Sequence, residues 1–198
     1  MNYNGLIDAL KKWEHLGVKP YLNGDVAYGK PFKNKGWGWL HQVAASIDDK
    51  LIAGFEKDNP FTQNYRHIKA LYQCNGVNLF SGGLILYGLH LAGPFKTAVF
   101  PFDVVSHNIN LSHIAKEYDG LIVGGAHFGR ISISYLETRN GNLLAIDGNL
   151  LAIDRESENV VHQWDDFDGF FTSEFNRLDE IFDENVLPPK DYEKRGYS

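Results

Sequence analysis

Between residues 121 and 153 the chain has little room for anything but neighbouring strands joined by turns. Leu121-Ile122-Val123 is a short apolar run closed by Gly124-Gly125. Ile131, Ile133 and Tyr135 then alternate with Ser132 and Ser134, the period-two pattern of a strand with one packed face and one wet face. Asn140-Gly141 supplies the pair that most readily takes the positive φ angles of a tight hairpin turn. Beyond it, Asn142-Leu-Leu-Ala-Ile-Asp147 and Asn149-Leu-Leu-Ala-Ile-Asp154 are the same six residues written twice, with only Gly148 between them. Asp147-Gly148 is a second hairpin signal and gives two further antiparallel strands; one strand bulged at Gly148 is the alternative. The second half therefore builds a meander, which the rest of the chain must cover.

The first half supplies the cover. Asn4 is placed to cap a helix carrying Leu6, Ile7, Leu10 and Trp13 on one side, and Gly17 to end it. Residues 21–38 read as irregular, with glycine at 24, 29, 36 and 38, and Trp37 and Trp39 there either anchor a long loop or offer indole faces to a ligand. Ser46 opens a second helix with Ile47, Leu51 and Phe55 inward, ended by Asn59-Pro60. A third runs from about Thr62, presents Tyr65, Ile68, Leu71 and Tyr72, and closes at Asn75-Gly76. Val77 to Phe80, Gly82-Gly83 and Leu84 to Leu89 follow as strand, glycine turn and strand. Pro101 makes 97–102 an edge or loop piece, and Asp103 and Asn110 can each cap a short helix. After Val160, Val161 and Trp164 comes a helix in which Phe167, Phe171, Phe175, Leu178 and Phe182 recur at helical spacing.

These elements form one α+β domain over residues 1–187: a mostly antiparallel, twisted sheet of about six strands with helices packed against it, and a loose tail at 188–198. A chain of 198 residues with 43% hydrophobic and 14% aromatic content can fill such a core without disulfides, and its single cysteine, Cys74, cannot form one internally. The absence of a long apolar run or a greasy leader points to a reducing cytoplasm and no membrane partner. A net charge of −6 argues against nucleic acid, whose phosphates call for a basic face, and suits a basic protein partner.

Catalytic and metal readings are weak. Cys74 would need a lowered thiol pKa and an adjacent base to act as a nucleophile, and the end of a helix raises that pKa. His107 with His113, or His90 with His127, lack the spacing that sets two imidazoles on one ion. Gly124-Gly125-Ala-His-Phe-Gly129 lacks the residues by which phosphate loops grip, and turns between strands explain it. No catalytic residue, metal or cofactor is expected. The acidic C-terminal segment is the remaining functional feature: 154–184 holds eleven Asp or Glu against two Arg. Asp165, Asp166 and Asp168 sit where they can cap and solvate a helix. With Glu174, Asp179, Asp183 and Glu184 they can instead form a negative surface for a cationic protein.

Several segments together resemble the SMI1/KNR4 superfamily, also called SUKH, and within it the YrhA-like branch. They are Ile47-Asp-Asp-Lys-Leu-Ile-Ala-Gly-Phe-Glu56, Tyr65-Arg-His-Ile-Lys-Ala-Leu-Tyr72, and Cys74-Asn75-Gly76 ahead of a strand. Later come Gly129-Arg130-Ile131, Gly141 before its Asn-Leu-Leu-Ala-Ile-Asp, and Trp164-Asp-Asp-Phe167-Asp-Gly-Phe170-Phe171. The similarity covers about 46–178, with 1–45 an added helix and loop. It implies an immunity protein that neutralises a cognate bacterial toxin, often a nuclease with a basic cleft, by stoichiometric binding and without catalysis. The residues themselves leave open a small-ligand or peptide module built on Trp37 and Trp39, and an enzyme using Cys74 and a histidine.

Overall fold

The computed structural model describes residues 3–29, 39–71, 73–89, 103–128, 131–147 and 160–182. Among these, nine strands form a single sheet in which each pairs antiparallel with the next in sequence. They are β1 (Val18–Pro20), β2 (Val26–Tyr28), β3 (His41–Val43), β4 (Val77–Leu79), β5 (Leu84–Leu86), β6 (Gly120–Phe128), β7 (Ile131–Thr138), β8 (Leu143–Asp147) and β9 (Val160–Trp164). The α+β class matches the expectation, but the sheet is larger than six strands. Beyond the strands read from the sequence are β9 and β1, β2 and β3, the last three each three residues long and too short for alternation to register; the strand expected over the second hexapeptide lies outside the described residues. β2 therefore lies inside the stretch read as irregular.

The Gly124-Gly125 pair also departs from expectation. It does not close a strand: β6 runs through it, with a bulge between Ile122 and Gly124. A Cβ on Gly125 would come within 2.8 Å of the Ile133 carbonyl oxygen, so close backbone approach, rather than a turn, requires glycine there. Between β4 and β5 the chain reverses earlier than Gly82-Gly83 suggests. Phe80 and Ser81 both take positive φ, 52° and 54°. Such a conformation is unusual for a bulky residue. Phe80 is held in it by packing, its ring lying 4.6 Å from His41, 5.4 Å from Phe175 and 5.2 Å from Phe182 between centroids. The hairpin at Asn140-Gly141 between β7 and β8 forms, but only Gly141 takes positive φ, 88°; Asn140 does not.

Helices fill the insertions. α1 (Tyr3–Leu10) is under way at Tyr3, so Asn4 does not cap it; it continues as a 3-10 helix (Lys11–Leu16) and stops at Gly17, φ 113°. α2 (Asp49–Asp58) is capped by Asp48, which accepts the Lys50 amide at 2.7 Å, and not by Ser46. Its inward residue is Ile52, while Leu51 is 44% exposed. α3 (Arg66–Ala70) is shorter than expected at both ends: a 3-10 turn (Pro60–Thr62) precedes it, and it is capped at Leu71 and does not run on to Asn75-Gly76. α4 (Val104–Asn110) is capped by Asp103, whose two carboxylate oxygens accept Val105 at 3.2 Å and Ser106 at 3.1 Å. Asn110 ends α4 instead of capping α5 (Ser112–Glu117), which has no side-chain cap.

α6 (Phe167–Ile181) lays Phe170, Phe171, Phe175 and Leu178 into the core, followed by Phe182. Each fully buried phenyl or isobutyl group contributes about 1.5–3 kcal/mol. By strand alternation Tyr135 and Glu137 share one side of β7. There Tyr135 meets α6 and Glu137 meets the start of α3.

Two asparagines extend the sheet beyond its short strands. Asn75 accepts the Leu89 amide at 2.6 Å and donates to the Leu89 carbonyl at 3.0 Å. Asn108 does the same to Ile122, at 2.9 and 2.8 Å. In each case a side-chain amide stands in for a neighbouring strand's peptide.

Candidate functional site

The acidic residues of the C-terminal segment divide once placed in the fold. Asp166 is the N-cap of α6, accepting the Gly169 amide at 2.7 Å. Glu174 is buried: it accepts the Tyr135 hydroxyl at 2.9 Å and the Arg177 guanidinium at 2.9 and 3.2 Å. It therefore cannot belong to an outer acidic face. Asp179 is mostly covered and ion-paired with Lys12, tying α6 to the N-terminal helical segment. Asp183 and Glu184 lie outside the described residues. What stays exposed is Asp165, Asp168 and, farther along α6, Glu180.

Asp165 directly follows β9, whose Val160 and Val161 are 41% and 37% exposed. Exposed valines at the start of β9 and exposed carboxylates just past its end give this segment both apolar area and negative charge on its surface.

A second candidate is an apolar cleft of about 60 Å³ lined by Leu6, His67, Leu71, Cys74, Phe167 and Phe171. It gathers the thiol and an imidazole, but both are held uncharged. Burial pushes the Cys74 thiol up to about 11, against a smaller opposing effect from its hydrogen bond with the Gly76 backbone. The cause is burial and not a helix end, since α3 stops at Ala70. Burial likewise lowers His67 to about 4, although Nε2 lies 2.6 Å from the Tyr87 carbonyl oxygen and can donate to it. A thiol at about 11 is ionised in roughly one molecule in 10⁴ at neutral pH. Thiolate chemistry needs the opposite shift. The cleft can admit a small apolar group.

The remaining sequence candidates are dispersed. His107 stacks on Tyr87, centroids 4.0 Å apart, and its Nδ1 lies 2.9 Å from the Asp103 carbonyl. His113 is exposed on α5; His90 and the His127 side chain lie outside the described residues. Among the described residues no group of three or more His, Cys, Asp or Glu could hold a metal ion, and no helix is long and apolar enough to cross a membrane. Trp39 is half-buried beside Leu40. Trp37, residues 97–102, Gly129-Arg130, the second hexapeptide copy and the 188–198 tail are outside the described residues.

No known family model, curated protein or solved structure matches this chain. The side chains themselves carry the functional argument. Three buried polar arrangements that sequence reading passed over are structural: Glu137 at the start of α3, Tyr135 with Glu174, and His41. The last is enclosed by Trp13 and Phe80, accepts the Phe80 amide on Nδ1 at 3.3 Å, and is lowered to about 3 by burial and then by Lys12. No local pattern marks them, because their partners lie 39 to 71 residues away.

Proposed function

We propose that this chain works by stoichiometric protein binding, using the surface made by β9 and the start of α6 to hold a basic partner. Following its resemblance to the SUKH domains, that partner is a cognate toxin and the role is immunity. The observation that carries the reading is a division of charge. His67 and Cys74 at the cleft are held neutral, whereas Asp165 and Asp168 stand exposed just past the end of β9, the strand that opens with the exposed Val160 and Val161. Charged rims of this kind speed encounter and exclude wrong partners.

The test is purification of the tagged chain with its neighbouring genes expressed. One basic polypeptide should be recovered in stoichiometric complex. Replacing Asp165 and Asp168 by lysine should slow association about tenfold or more at low salt, with the difference shrinking at high salt. Recovery of the chain alone, or an association rate indifferent to both aspartates, would count against the reading.

A further inference from the structure

The doubled hexapeptide bears on how β8 is held. The first copy, residues 142–147, supplies β8, which lies between β7 and β9. Leu143, Leu144, Ala145 and Ile146 are all buried there. Alternation sends Leu143 and Ala145 to one face and Leu144 and Ile146 to the other. A strand that slips by one residue ordinarily turns its core face outward, and that penalty fixes register. A slip of seven residues here puts Asn149, Leu150, Leu151, Ala152, Ile153 and Asp154 where Asn142, Leu143, Leu144, Ala145, Ile146 and Asp147 stand. Every side chain in the slot is restored.

We infer that the slot between β7 and β9 is shared: residues 149–154 exchange with residues 142–147 as its occupant, giving two registers with the same core.

The connections set the balance. In the observed register residues 139–141 join Thr138 to Asn142, and residues 148–159 join Asp147 to Val160. After exchange, residues 139–148 make the first link and residues 155–159 the second. Going from three linking residues to ten disfavours the first closure about sixfold, and going from twelve to five favours the second about fourfold. Loop closure therefore nearly cancels. What favours the observed register is the turn itself. Gly141 takes φ 88° and donates to the Thr138 carbonyl at 2.9 Å. Beside it the Arg139 guanidinium donates to the Gln63 carbonyl at 3.0 Å and lies 4.6 Å from the centre of the Tyr65 ring. The Asn140-Gly141 turn is the lock, and the exchanged register is a minor state in which Arg139 leaves Tyr65.

Disulfide trapping tests this in the full chain with Cys74→Ala. Ser134 faces Ile146 across the β7–β8 pair. Ser134→Cys with Ile146→Cys reports the observed register, and Ser134→Cys with Ile153→Cys reports the exchanged one. Under a mild redox buffer both pairs should crosslink, the second as a minor fraction. Gly141→Val, which strains the turn, should raise that fraction several-fold. Leu144→Asp puts a carboxylate in the slot. Combined with Ser134→Cys and Ile153→Cys it should still unfold cooperatively and should crosslink in most molecules, whereas Leu144→Asp with Leu151→Asp should not fold. The inference is overturned if the Ile153→Cys pair crosslinks no more than a Ser134→Cys, Ser157→Cys control. It is equally overturned if Leu144→Asp alone unfolds the chain as completely as the double variant.

Discussion

The carboxylate of Glu137 on β7 accepts the backbone amides of Arg66 at 2.8 Å and His67 at 3.0 Å, so a strand caps a helix that precedes it by about seventy residues. α3 has no side-chain cap of its own, and Glu137 satisfies two of its orphan donors while lying almost wholly buried. Glu137→Ala should cost about 2 kcal/mol in denaturant unfolding, because it strands those amides away from water. Burial raises the Glu137 pKa, outweighing the hydrogen bonds from His67 and Arg66. A raised carboxyl pKa contributes stability below the unfolded value of 4.5, and that contribution is lost as pH rises through the folded value. Glu137→Gln should therefore gain on the wild type as pH rises from the acid side, which parallel melts across pH 4 to 7 will show.

The two buried imidazoles act in the opposite direction. His41 is lowered to about 3 and His67 to about 4 from 6.5, so both fold neutral. Their stabilisation is complete above pH 6.5 and is lost as pH falls from there toward 4, where the unfolded chain takes up protons first. The loss should amount to roughly 1.4 kcal/mol for each tenfold drop in an imidazole's proton affinity on folding. Melting temperature should fall steeply over that interval. His67→Gln should flatten the profile even if its plateau stability is lower; an unchanged slope in this variant would remove His67 as a cause.

Tyr135 and Glu174 lock α6 onto the sheet through a buried 2.9 Å hydrogen bond. Tyr135→Phe should cost about 1–2 kcal/mol, and Glu174→Ala more, since it also releases Arg177. Neither should alter the rate of partner association, while Asp165→Lys and Asp168→Lys should change that rate with little effect on stability. Measuring both quantities on all four variants separates the structural carboxylate from the exposed ones.

Asn108 holds the free edge of β6 by pairing with both polar groups of Ile122. Asn108→Asp keeps the shape but removes the donor and sets a carboxylate oxygen against a carbonyl. It should cost about 2–4 kcal/mol. Amide hydrogen exchange at Ile122 should accelerate in this variant ahead of exchange in β7.

Much of the architecture was legible in the order of the residues because it depends on neighbours in sequence. The Phe167, Phe171, Phe175, Leu178 spacing makes an inward helix face whatever lies opposite, and Asp103 and Asp166 cap helices that begin one residue later. Asn140-Gly141 turns a hairpin because only local φ values are at stake. Only tertiary structure could decide the rest. Strands of three residues owe their existence to partners across the sheet, Gly124-Gly125 became strand because of a close carbonyl, and Leu51 lost its inward place to Ile52. The roles of acidic residues diverged for the same reason: Glu174 and Glu137 found hydroxyl and amide donors far away in sequence, and burial, which no single residue encodes, determined which carboxylates still face water.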